Sequence, residues 1–165
     1  MKLEYQVANP SQCKRLKELG IVQEGQFSWL WDNHEQAHIV STRSVESLQL
    51  LADSNRIISV WKERVEKGIF SAWSVAELGV LLPDVYADMQ WYTIPNAGYN
   101  EGGENLEPPN CFSLHIGETT DTMDSEPFNG FCFTTEAQAR AAYLIMLLEE
   151  KSITPEECNK RLLEA

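Results

Sequence analysis

The string His34-Glu35-Gln36-Ala37-His38 has the spacing with which a helix sets two imidazoles on one face. In a zinc hydrolase His34 and His38 would ligate the metal, and Glu35 would act as general base toward a zinc-bound water. That chemistry requires a helix, and the flanking residues do not encode one. Gln36 stands where such a helix turns an apolar side into the core, and Asp32 and Asn33 favour turns. Upstream, Phe27, Trp29 and Trp31 alternate with Ser28 and Leu30; downstream, Ile39-Val40-Ser41-Thr42 has strand composition. A third ligand is also needed, and nothing singles out one of Glu46, Glu63 and Glu66. The segment therefore reads as the polar tip of a β-hairpin, with a zinc hydrolase as the alternative.

Other reaction chemistry has less to stand on. Asp121, Asp124 and Glu126 are hard oxygen donors followed by Gly130, but the alternate-position register and closing glutamate of a calcium loop are missing. There is no Gly-x-Ser-x-Gly elbow and no Walker A loop, and Gly102-Gly103 lacks a strand–turn–helix context. Cys13, Cys111, Cys132 and Cys158 form no Cys-x-x-Cys pair and read as buried small hydrophobes of a reducing cytosol. His115 falls on the solvent side of its strand. The expectation is a cytoplasmic protein without cofactor, metal or reaction centre.

The elements that position these residues are legible from capping chemistry and alternation. Asn9-Pro10-Ser11-Gln12 starts a helix that passes Leu16 and Leu19 and stops at Gly20, with Gln12 able to reach back to the cap. Ser74 and Glu77 form a capping box for a helix through Leu81, stopped by Pro83. Thr135 and Gln138 do the same for the strongest helix, which runs to about Lys151, and Thr154-Pro155-Glu156-Glu157 starts the last. Ser44 to Asp53 and Arg56 to Lys67 also look helical. Strands are expected at 27–31, 39–42, 89–94, 112–116 and 131–133. Hairpin-like neighbours followed by a helix favour a single α+β domain over residues 1–165: an antiparallel sheet of about four to five strands, covered on one side by helices. The longest apolar run, Ala141 to Leu148, is too short to span a bilayer, and no membrane partner is expected.

Charge is the most unusual feature. From Gly68 to Ala139 there is no lysine or arginine but eleven carboxylates: Glu77, Asp84, Asp88, Glu101, Glu104, Glu107, Glu118, Asp121, Asp124, Glu126 and Glu136. The whole net charge of −12 arises after Lys67. Such a field attracts basic partners and disfavours direct nucleic-acid binding, which begins with phosphate neutralisation. Carboxylates imitating a duplex backbone would invert that argument, so an acidic DNA mimic is a further alternative. Two segments, 96–110 and 117–127, hold most of the acid and read as exposed loops that gather into one negative face. Five tryptophans exceed what a small core needs, which makes Trp29, Trp31 and Trp91 candidate contact anchors beside Glu101, Glu104, Glu107, Glu118, Asp121, Asp124 and Glu126.

Three stretches carry a resemblance: 13–20 (Cys-Lys-Arg-Leu-Lys-Glu-Leu-Gly) followed by Phe27-Ser28-Trp29; 71–79 (Ser-Ala-Trp-Ser-Val-Ala-Glu-Leu-Gly) ending in Leu82-Pro83; and 135–151, with its alanine-rich start and Leu147-Leu148-Glu149-Glu150-Lys151. In order and wording, the chain resembles small proteins of bacteriophages and other mobile elements of gut bacteria. That resemblance covers about half the chain and implies a genomic setting. The family has no assigned activity, so no catalytic residue carries over. The combined expectation is a non-enzymatic accessory protein that binds a protein with a basic surface.

Overall fold

Asn9 Oδ1 accepts a hydrogen bond from the Gln12 amide at 2.9 Å, and Pro10 opens the first helix, α1 (Pro10–Glu18). Its end is set by Gly20 at φ 95°, a left-handed conformation that glycine adopts without a Cβ clash. The other capping sites act in the same way. Ser44 Oγ accepts from the Ser47 amide at the start of α2 (Val45–Asp53). Ser74 and Glu77 close a full capping box on α3 (Val75–Leu81), and Thr154 and Glu157 close another on α5 (Pro155–Glu164). Thr135 caps α4 (Glu136–Glu149) through the Gln138 amide at 3.2 Å.

This computed structural model describes residues 3–32, 35, 37–53, 68–83, 85–86, 89–96, 111–117, 126–127 and 133–165, with the backbone alone for 52–53 and for the segments between 85 and 127. The helix expected over 56–67 lies outside the described residues, as do positions 131–132 of the expected strand 131–133.

The expected single sheet of about four to five strands is two sheets. The first has the order β2-β1-β3, built from β1 (Ser28–Asp32), β2 (Ala37–Ser41) and β3 (Phe70–Ser71). The second is an antiparallel meander, β4 (Val85–Tyr86), β5 (Met89–Asn96), β6 (Cys111–Gly117) and β7 (Glu126–Pro127). The division follows from connectivity. The free edge of β1 is taken by Phe70-Ser71, and the chain then leaves through α3 before the meander begins.

Nor is the first sheet covered on one side only. Trp29 and Leu30 point to opposite faces of β1, yet they are 4% and 5% exposed. Trp29 joins the main core with Leu16, Trp73, Leu78, Leu144 and Leu147, drawn from α1, α3 and α4. Leu30 packs on the other side with Val45 and Leu48 of α2 and with Ile69. Each fully buried side chain of this size stabilises the fold by about 1.5–3 kcal/mol.

Helix α4 is central, touching α1 and α3 as well as β5 and β6. Its apolar set includes Ala137, Ala141, Tyr143, Leu144, Leu147 and Leu148, all buried. Two glutamines behave differently from their capping assignment. Gln12 does not reach back; its Nε2 donates to the Gln138 carbonyl at 2.9 Å and ties α1 to α4. Gln138 instead accepts from the Thr134 hydroxyl at 2.8 Å. Among the described residues, no helix is long and apolar enough to cross a membrane.

Candidate functional site

The hairpin register decides the geometry of the His-Glu-x-x-His string. β1 and β2 pair from Ser28 with Ser41 to Asp32 with Ala37, leaving 33–36 as the connection. Glu35 lies in the turn, where its amide donates to Asp32 Oδ1 at 3.1 Å. His38 is on β2 opposite Trp31. Position 34 is outside the described residues, but a strand at 37–41 is incompatible with the helical i, i+4 placement that a zinc hydrolase of this type requires. Among the described residues, no group of three or more His, Cys, Asp or Glu side chains could hold a metal.

His38 has another environment altogether. Its ring meets Trp31 edge-on at 5.2 Å between centroids and Phe70 at 5.2 Å in a tilted contact. Its Nε2 is shielded from solvent, with no hydrogen-bond partner among the described residues. Burial depresses its pKa below the usual 6.5, and the positive charge of Lys14 adds to the effect. The unfolded chain therefore takes up a proton more readily than the folded one as pH falls past 6.5. The stability contribution is complete above that value and is lost as pH falls through the folded pKa. Denaturant midpoints measured at about pH 7.5 and 5.5 should fall more for the parent than for His38→Gln, the range being set by the ordinary histidine pKa. Parallel losses would show that this imidazole does not control the acid-side decline.

The acidic residues enter the fold through the second sheet. Gln90 pairs with Gly117, Asn96 with Cys111, and Ile116 with Glu126. Segment 97–110, bearing Glu101, Glu104 and Glu107, therefore attaches at the Asn96–Cys111 end. Segment 118–125, bearing Glu118, Asp121 and Asp124, attaches at the Gly117–Glu126 end. Connection 87–88, with Asp88, joins Tyr86 to Met89 at that same end. At ~3.4 Å per residue along β6, the attachment points are roughly 20 Å apart. The described strands thus end at opposite ends of the meander where the two acidic segments begin, and whether those segments form the expected single negative face lies outside the described residues. Apart from Glu126, whose backbone forms β7, these partner-binding candidates lie outside the described residues.

Two of the eleven carboxylates serve the fold itself. Glu77 caps α3, and Glu136 pairs with Arg140 one turn along α4. Trp29 is withdrawn from the candidate contact surface: it is core, and its Nε1 donates to the Ala8 carbonyl at 3.1 Å. Trp31 is half-buried against His38. Trp91 lies on β5 opposite Ile116, toward the Gly117 end.

Burial pushes Cys13 up to about 12 and Cys158 up to about 11, so both stay protonated at neutral pH. No family model matches this chain, and no curated protein or solved structure matches it significantly.

Proposed function

We propose that this chain is a non-enzymatic accessory protein of a phage or mobile element that binds a protein with a basic surface. One observation supports the reading above the rest. The register of β4–β7 attaches Asp88, Glu118, Asp121, Asp124 and Glu126 at one sheet end, within a stretch free of lysine and arginine. Glu101, Glu104 and Glu107 belong to the segment that joins Asn96 to Cys111 at the other end. Opposed charge of this kind raises association rate and selects partners, and it is screened over about 8–10 Å at physiological salt. In this reading Trp91, whose backbone pairs with Ile116 on β6, serves as an aromatic anchor.

A lysine-rich peptide serves as the probe, and its affinity is measured by fluorescence anisotropy across a salt series. Converting Asp88, Glu118, Asp121, Asp124 and Glu126 together to their amides should weaken binding by on the order of tenfold, at about 0.3 kcal/mol per exposed charge. The same treatment of Glu101, Glu104 and Glu107 should cost less. Binding that survives both high salt and the five amides would sink the reading.

A further inference from the structure

Among the described residues, two lysines share a cavity. Lys14 and Lys17 stand one turn apart on α1 and, with Glu18, Gly68 and Phe70, line a space of about 330 Å³. That is within the range of ligand pockets, about 300–1,000 Å³. Phe70 supplies apolar lining; the residue is largely buried and its ring is in tilted contact with His38. The acid at the rim is already engaged: Glu18 pairs with Arg15 at 3.3 Å. Lys17 donates to the Ile69 carbonyl at 3.2 Å, which fixes its position without neutralising it. Among the described residues, no carboxylate forms an ion pair with Lys14 or Lys17.

We propose that this cavity binds a small carboxylate carrying an apolar body, aromatic or short aliphatic, with the carboxylate between Lys14 and Lys17 and the body against Phe70. Inorganic phosphate fits poorly, because it gains nothing from the ring wall and finds no guanidinium fork there. The site is independent of the acidic sheet end and would stand if that reading failed. It also has a reporter. Besides burial, the charge of Lys14 opposes protonation of His38, so a carboxylate held on Lys14 relieves that part of the opposition. Linkage then requires the carboxylate to bind more tightly as pH falls through the His38 pKa.

The test is a titration of the full chain, read by amide chemical shifts, with benzoate, hexanoate, benzyl alcohol and inorganic phosphate as probes. Benzoate and hexanoate should give saturable shifts at 14–18 and 68–70, at least about fivefold tighter than benzyl alcohol or phosphate. Lys14→Gln and Lys17→Gln, each checked for a native spectrum, should each weaken benzoate about fivefold, the worth of ~1 kcal/mol for a solvent-accessible charge pair. The proposal is overturned if shifts at these residues never saturate, or if benzyl alcohol or phosphate binds as well as benzoate. It also fails if neither lysine substitution matters. Shifts at 14–18 that grow with protein concentration alone would overturn it too, by assigning the cavity to a second copy of the chain.

Discussion

Trp73→Ala should lower the unfolding free energy by about 3–5 kcal/mol, a large part of the ~5–15 kcal/mol that holds a typical domain together. The indole is fully buried among Leu16, Leu78, Leu144 and Leu147. The same residue joins the N-terminal segment to the start of α3: its carbonyl accepts from the Ala8 amide at 2.9 Å, beside the bridge of Val7 with Ser74. Trp73→Phe should behave quite differently. Nε1 of Trp73 has no hydrogen-bond partner among the described residues, and a buried donor of that kind costs about 1–3 kcal/mol. Removing it offsets the smaller cavity left by a phenyl ring, so the net change should stay within ~1 kcal/mol. Urea midpoints followed by circular dichroism measure both variants. Equal losses for alanine and phenylalanine would mean that the polar atom, rather than packing, dominates at this position.

Local contacts are legible in this sequence and long-range ones are not. Helix starts were legible at Asn9, Ser74, Thr135 and Thr154 because capping is local: the acceptor and the amide it satisfies are three residues apart. The β1–β2 hairpin was legible for the same reason, with alternation and turn residues lying within one window. Long-range partners left no such trace. Nothing in the order of residues says that Gln12 will cross to the Gln138 carbonyl, or that Phe70-Ser71 will take the free edge of β1 and divide the strands into two sheets. Trp29 illustrates the limit for the candidate site. Alternation placed it on a strand face, but α1, α3 and α4 bury that face, and α2 buries the other. Acidic composition was visible at once, while the register that attaches it at two ends of a meander was not.

Glu77 shows how a side chain read as a local cap can carry a second, distant duty, and replacing it by alanine should cost about 2 kcal/mol. One carboxylate oxygen, Oε2, accepts from the Ser74 amide at 2.9 Å and the Ser74 hydroxyl at 2.6 Å, completing the box on α3. Oε1 accepts from the Gln26 amide at 2.8 Å, in the loop that delivers the chain to β1. That loop has little backbone pairing of its own and is held by side chains: Ser71 Oγ accepts from the Gly25 amide, Gln23 Oε1 from the Ser71 amide, and Asn159 Oδ1 from the Val22 amide. The expected figure combines about 1 kcal/mol for the cap with about 1 kcal/mol for the bond to the loop. Ser74→Ala should lose only the first part, and the double variant should fall short of the sum because both residues share the box. Hydrogen exchange separates the two duties. The Gln26 amide should lose protection in Glu77→Ala and keep it in Ser74→Ala. Unchanged protection at Gln26 in Glu77→Ala would show that the loop is held by Ser71, Gln23 and Asn159 alone, and that the carboxylate acts only on its own helix.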